Sequence, residues 1–124
     1  MNIKKMDPGP AGEPIAVISG DGIVISDVQS ALDLMATVRY ETDSYRLVLN
    51  KSMIDESFFD LKTRVAGDIL QKFINYGVKL AIVGDFSSYT SKSFQDFVYE
   101  CNKGSHFFFL ASEEQAVEKL QSLK

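Results

Sequence analysis

Residues 76–86 read YGVKLAIVGDF and decide the fold of the chain. An amphipathic helical pattern leads into this segment and stops at Gly77, and a short apolar run from Val78 to Val83 follows. The run is too short to cross a membrane, and it lacks the polar alternation of a half-exposed strand. Strands of a parallel sheet that is covered on both faces have this composition. The segment therefore predicts an interior strand of an α/β sheet.

The same alternation of apolar runs and helical patterns extends over the rest of the chain. Apolar runs predict four further strands, at residues 15–19, 23–25, 45–49 and 106–110. The turn Gly20-Asp21-Gly22 joins the first two, which predicts a hairpin. Helical patterns between the other strands predict four helices. The longest starts at an N-cap at Asp55 or Ser57 and ends at Gly77, and the other three start near Ser26, Ser91 and Ser112. The predicted fold is α/β, with the order β-β-α-β-α-β-α-β-α and a mostly parallel five-stranded sheet.

The N-terminal residues differ in composition from the rest. Residues 1–14 hold all three prolines and two glycines, which disfavour regular structure. We predict a flexible N-terminal segment at 1–14, in which Ile3 could pair at a sheet edge, and a single α/β domain at 15–124.

Composition narrows the classes of function. The 124 residues are 45% hydrophobic and 24% charged, and the net charge of −4 argues against a nucleic-acid partner. The sequence has neither a signal-peptide pattern nor a long apolar segment, so we expect no membrane partner. Cys101 is the only cysteine, which excludes an internal disulfide. We expect a cytoplasmic protein.

Residues 15–123 resemble, in element order, the anti-sigma-factor-antagonist fold, which is also called STAS or SpoIIAA-like. Domains of that family present a loop reading roughly Ile-Asp-Ser-Ser-Gly, in which a partner kinase phosphorylates the second serine. Ile54, Asp55 and Ser57 match this loop, while Glu56 and Phe58 replace the first serine and the glycine. The resemblance implies a regulatory module that contacts a partner protein through this loop.

A second resemblance is more specific and covers nearly the whole chain from about residue 15. The segments that carry it are 59–63, 66–73, 78–86 and 102–104. They are similar to an uncharacterised bacterial family, DUF4180. This resemblance implies no established biochemical role.

The predicted start of the long helix is the first candidate site, made of Asp55, Glu56 and Ser57. Ser57 is either a modification site or a plain helix cap. Free amide groups and the dipole at a helix N-terminus would favour an added negative charge there. We expect an unknown protein partner to bind this surface.

The second candidate site is the sheet edge at the carboxyl ends of the strands, where open α/β sheets bind ligands. The candidate residues are Asn50, Lys51, Ser52, Asp85, Ser87 and Ser88. Lys51 could hold an anion, with Ser87 and Ser88 as hydrogen-bond donors. The alternative is that these residues make ordinary turns and caps.

The remaining reactive residues predict neither catalysis nor a metal site. The carboxylates have no metal-ligand spacing with a histidine, and the one histidine, His106, lies on a different predicted element from Cys101. We therefore predict a chain without catalytic residues, metal or cofactor.

The sequence favours a non-enzymatic cytoplasmic binding or regulatory module that acts by protein contact near the start of the long helix. The alternative is a small-molecule or anion-binding protein, or a small enzyme, that uses the sheet edge at the carboxyl ends of the strands. We also expect a homodimer, because the crossover helices could leave part of one aromatic sheet face, at 107–109, uncovered.

Overall fold

The computed structural model describes residues 1–6 and 12–123. Five strands form one sheet: β1 (Asn2–Met6), β2 (Ile15–Ser19), β3 (Arg46–Asn50), β4 (Lys79–Val83) and β5 (Phe107–Leu110). Four α-helices accompany them: α1 (Val28–Thr42), α2 (Val65–Tyr76), α3 (Lys92–Lys103) and α4 (Glu113–Ser122). The strands lie in chain order, with β1 antiparallel to β2 and the other three pairings parallel. The five-stranded α/β sheet with four helices is confirmed.

The interior strand predicted from residues 76–86 is β4, which pairs with β3 on one side and β5 on the other. Its alternate residues Leu80 and Ile82 face α1, α2 and α3, together with Phe107 and Phe109 of β5. Ala81 and Phe108 point to the opposite face, which α4 covers. Both faces of the strand are therefore shielded from water, which explains the consecutive apolar residues from Leu80 to Val83.

The hairpin at the start of the chain is not the one that the glycine turn predicted. β1 pairs along its whole length with β2, from Asn2 opposite Ser19 to Met6 opposite Ile15. Residues 23–25 form no strand, and only Ile25 makes a single bridge, to Ile54. The strand prediction for 23–25 is wrong because β1 already occupies the free edge of β2. The expected edge pairing of Ile3 is confirmed.

This hairpin also corrects the bounds of the flexible N-terminal segment that was predicted at 1–14. Residues 2–6 belong to the sheet, so the flexible segment predicted at 1–14 does not include them. Residues 12–14 have no regular structure, and residues 7–11 lie outside the described part of the chain.

The longest predicted helix starts later than Asp55 or Ser57. Three short 3₁₀ turns come first, at Lys51–Met53, Glu56–Phe59 and Leu61–Thr63, and α2 begins only at Val65. Before each turn, an Asn or Asp side chain accepts a hydrogen bond from the amide two residues on. The donor–acceptor distances are 2.9 Å at Asn50, 3.0 Å at Asp55 and 3.1 Å at Asp60. These local bonds compete with the α-helix, so Asp55 caps a 3₁₀ turn and Ser57 caps nothing.

Three other predicted helix ends are confirmed. The cap predicted at Ser26 is wrong, because Asp27 accepts from the amide of Ser30 at 2.8 Å and caps α1. Ser91 and Ser112 cap α3 and α4 by accepting from the amides of Phe94 and Gln115. Gly77 ends α2 in the left-handed region, at φ 68°, where glycine carries no steric penalty.

The sheet face that was expected to be bare is covered. α4 packs across it, and Val48 and Phe108 on that face are only 2% and 1% exposed. The reason for expecting a homodimer is therefore wrong, while the homodimer itself stays a prediction. Among residues 1–6 and 12–123, no helix has the length and apolar character needed to cross a membrane.

Candidate functional site

Both candidate sites lie at the same edge of the sheet. β3 and β4 run parallel, so the segments that follow them leave the sheet at a common edge. The first segment holds residues 50–60 and the second holds residues 84–91. We call these two segments together the rim. The Asp55–Ser57 surface and the strand-end residues are thus parts of one region.

A hydrogen bond joins the two segments of the rim. The Tyr89 hydroxyl donates to the Glu56 carboxylate, at 2.5 Å from one oxygen and 3.0 Å from the other. Burial and this carboxylate raise the pKa of Tyr89 to about 12. Sequence reasoning missed Tyr89, because nothing in the spacing indicates a contact with a residue 33 positions away.

Lys51 makes a second connection between the segments. Its Nζ donates to the backbone carbonyl of Asp85 at 2.8 Å and lies 5.1 Å from the centre of the Tyr89 ring. The stem of Lys51 lies against Gly84, where a Cβ would come within 2.7 Å of it, so a glycine permits this approach. Lys51 and Asp85 are therefore adjacent as predicted, but the ammonium group already has an acceptor and aromatic neighbours.

The carboxylates of Asp55 and Asp85 each accept a hydrogen bond from the backbone amide two residues on. The side chain and backbone amide of Ser57 hydrogen-bond Asp55 and hold the pKa of its carboxyl below the ordinary value. At Asp85 the backbone and side chain of Ser87 do the same, with a smaller contribution from the Lys51 charge. Both carboxylates are ionised at neutral pH, so the rim carries fixed negative charge.

The serines of the candidate sites differ in exposure. Ser52, Ser87 and Ser88 are exposed, whereas Ser57 is half-buried in the second 3₁₀ turn. The amides of Ser52 and Ser87 donate to the side chains of Asn50 and Asp85. These bonds belong to ordinary turns, which are the alternative to anion binding.

A cavity of about 340 Å³ opens between the two segments. Its aromatic wall consists of Phe59, Tyr89 and Phe94, with ring centres 5.1 to 6.0 Å apart. Glu56, Asp60 and Ser88 supply polar groups, together with Thr90 and Ser91. Lys51, Asp85 and Ser87 are not among the residues that line it.

Cys101 and His106 come together at a different place. They line a cavity of about 270 Å³ between α2, α3 and β5. Burial, and to a lesser extent Glu100, raises the pKa of the Cys101 thiol to about 11, so the thiol stays protonated at neutral pH. Desolvation and the nearby Lys79 lower the pKa of His106, whose Nδ1 lies 3.4 Å from the hydroxyl of Ser105. The protonated thiol is a weak nucleophile.

The acidic residues do not gather into a metal centre within the described ranges. No group of three His, Cys, Asp or Glu side chains in residues 1–6 and 12–123 could hold a metal ion. The carboxylates of the rim instead accept hydrogen bonds from nearby amides and from Tyr89.

Comparison with known proteins gives a family and no further relative. No curated protein and no solved structure matches the chain. The model of one family, described as a domain of unknown function, matches residues 10–120. This match covers the sheet from β2 to β5, all but the last residues of α4, and both segments of the rim. The chain therefore belongs to the DUF4180 family.

Proposed function

We propose that this protein is a non-enzymatic binding module that contacts a partner protein through the rim. The observation that carries the proposal is the Tyr89–Glu56 hydrogen bond, which ties together segments from two different strands. The Lys51 contact with the Asp85 carbonyl adds a second tie. A surface that is held in one arrangement before binding loses little conformational entropy when the partner arrives.

The negative charge of the rim favours a positively charged partner. Asp55, Glu56, Asp60 and Asp85 bring four carboxylates to this edge, and Glu56, Asp60 and Asp85 are exposed. The Lys51 ammonium contacts protein groups within the rim. A partner segment that is rich in Lys or Arg would complement this surface, and the charges would raise its association rate.

Ser57 is the candidate for regulation within the rim. Support comes from its position in the loop that resembles the phosphorylated STAS loop. The N-terminus of α2 does not contribute, because α2 begins eight positions later, at Val65. A phosphate on Ser57 would lie beside Asp55 and Glu56 and would concentrate negative charge there. Under this proposal, phosphorylation of Ser57 changes how the rim binds its partner.

The cavity between the rim segments supports a second candidate, a small-molecule site. Its aromatic wall would stack on a planar ligand, and the Glu56 and Asp60 carboxylates would favour a positive charge on that ligand. An anion suits this cavity poorly, since Lys51 is not among its lining residues. The alternative function is thus binding of a small aromatic or cationic molecule.

Charge reversal tests the protein-contact proposal. The protein is immobilised, and partners are captured from extract of the source cells with wild type and with the double variant Asp55→Lys, Glu56→Lys. The matched control is Glu41→Lys, Glu118→Lys, which changes the net charge equally at two exposed helix positions away from the rim. We expect the rim variant to lose a partner that the control retains.

The same captured partner then tests Ser57. If Ser57 is a switch, Ser57→Asp changes the affinity by about tenfold, and for a partner rich in Lys or Arg the added negative charge tightens binding, while Ser57→Ala binds like wild type. Equal binding by both variants removes the regulatory role. Retention of every captured partner by the Asp55, Glu56 variant contradicts the protein-contact proposal itself.

Two further properties complete the proposal, a cytoplasmic location and a homodimer. A lone, buried cysteine is compatible with a reducing compartment. Light scattering at micromolar concentration checks the dimer, and a mass near 13.8 kDa would exclude it.

A further inference from the structure

A larger cavity lies at the opposite edge of the sheet from the rim. It has a volume of about 430 Å³ and opens between α1, the start of β3 and the end of α2. We call it the α1–α2 groove. Small-molecule sites have volumes of roughly 300–1,000 Å³, so the groove is large enough for a compact ligand.

The walls of the groove are apolar and aromatic. Leu32 and Met35 come from α1, Leu47 from β3, and Val78 from the segment between α2 and β4. At the mouth, Tyr76 exposes 60% of its surface. Met35, Leu47 and Val78 are already buried, so the apolar surface that a ligand would cover belongs mainly to Leu32, Tyr45 and Tyr76. Covering it is favourable in proportion to the apolar area removed from water.

One charged group faces this groove. Arg39 is the only charged residue among the described residues that line it, and its guanidinium lies 4.1 Å from the centre of the Tyr45 ring. The aromatic stacking holds the guanidinium beside the mouth. The groove thus combines an apolar interior with a single positive charge at its mouth.

The present partner of Arg39 is easily exchanged. Arg39 Nη1 lies 3.2 Å from a carboxylate oxygen of Asp43, and the two side chains are 46% and 79% exposed. Ion pairs that are this exposed contribute little free energy, because water screens both charges. A ligand carboxylate could therefore pair with Arg39 at little cost.

We propose that the α1–α2 groove binds a small amphipathic carboxylate. Its apolar or aromatic body packs against Leu32, Met35 and Val78, and its carboxylate accepts from Arg39. The groove lies at the opposite edge of the sheet from the rim. Ligand binding there would be a second function, and its test does not depend on the partner-protein proposal.

A pair of matched ligands tests the charge requirement. Phenylbutyrate and its neutral amide, phenylbutyramide, have the same aromatic body and differ in the carboxylate. Each is titrated into the isotope-labelled protein, and affinity and location are read from backbone amide NMR shifts. We expect phenylbutyrate to shift amides around Met35, Tyr45 and Val78 and to bind about threefold more tightly than the amide, because its ion pair with Arg39 stays partly exposed to water.

Matched variants test the residues. Arg39→Gln should reduce phenylbutyrate affinity to that of the amide. Lys92→Gln is the control, because it removes the cation of the other exposed ion pair at the same helical spacing, 3.1 Å from Asp96. Ala36→Trp should block both ligands, since Ala36 lines the groove from an exposed helix position where a larger side chain fits without disturbing the core.

Four results with ligand present would overturn the proposal. They are equal affinity for the acid and the amide, wild-type affinity in Arg39→Gln, shifts that map to the rim, and the lack of any saturable shift. Concentration-dependent shifts of the groove amides without ligand would also overturn it, because a second copy of the chain would then occupy the groove.

Discussion

The Tyr89 hydroxyl donates a hydrogen bond to the Glu56 carboxylate and so joins the segment after β4 to the segment after β3. The Tyr89 ring also stacks on Phe59, with ring centres 5.2 Å apart. The bond therefore lies on top of the aromatic cluster that fills this end of the core. Packing and hydrogen bonding hold the rim together.

Removing this hydroxyl should cost a modest amount of stability. Tyr89→Phe keeps the ring contacts and deletes one hydrogen bond to an exposed carboxylate, which water screens, so we expect a loss of about 0.5–1.5 kcal/mol in the free energy of unfolding. Urea denaturation at neutral pH measures it. Tyr99→Phe is the control, because Tyr99 is exposed on α3 and should change stability by less than about 0.5 kcal/mol. Equal effects of the two variants would show that the bond contributes nothing.

The same tyrosine predicts how stability depends on alkaline pH. Its pKa is raised from 10.0 to about 12 in the folded protein, so the unfolded chain ionises first. The contribution of Tyr89 is fully present below pH 10 and is lost as the pH rises toward 12. We expect the stability difference between wild type and Tyr89→Phe to shrink over this interval in urea unfolding. A difference that stays constant there would contradict the raised pKa.

Two isoleucines on α2 should respond very differently to truncation. Ile69 is fully buried against the sheet, whereas Ile74 is 42% exposed. Ile69→Ala leaves a cavity and should cost roughly 2–5 kcal/mol. Ile74→Ala should cost much less, since part of the side chain already contacts water. Thermal or chemical unfolding of the two variants measures this, and similar losses would mean that α2 is rotated about its axis.

The Cys101 thiol should react slowly in the native protein. It is buried in α3, and its raised pKa of about 11 leaves little thiolate at neutral pH. A chromogenic disulfide reagent should therefore label it far faster in denaturant than under native conditions. Rapid native labelling, at the rate seen in denaturant, would show that the thiol is accessible and ionised.

The apolar patterns of the sequence were sufficient to predict the four parallel strands β2 to β5. β4 is buried on both faces, so its residues could not alternate with polar ones, and this signal is visible in residues 76–86. Local chemistry also predicted the ends at Gly77, Ser91 and Ser112, because a cap depends only on residues a few positions away. These features need no information about distant parts of the chain.

The 3₁₀ turns between β3 and α2 show where local periodicity misleads. Phe58 and Leu61 have helical spacing, which predicted that the long helix starts near Asp55. In the structure, Asp55 and Asp60 bond the amides two residues on, and Phe58 packs against Phe107 of β5, with ring centres 6.1 Å apart. Apolar spacing alone cannot distinguish a helix from short turns that bury the same residues.

The sequence by itself determined the four parallel strands and the presence of four helices, and that the loops after β3 and β4 meet at one edge. Only the tertiary structure decided which segment pairs with β2, because β1 and residues 23–25 compete for one free edge, and β1, which reads Asn-Ile-Lys-Lys-Met, lacks the apolar run that marks the other strands. It also decided that Tyr89 meets Glu56 and that Arg39 lies at the mouth of the α1–α2 groove. Such contacts depend on the positions of whole elements in space, and residue spacing along the chain does not encode these positions.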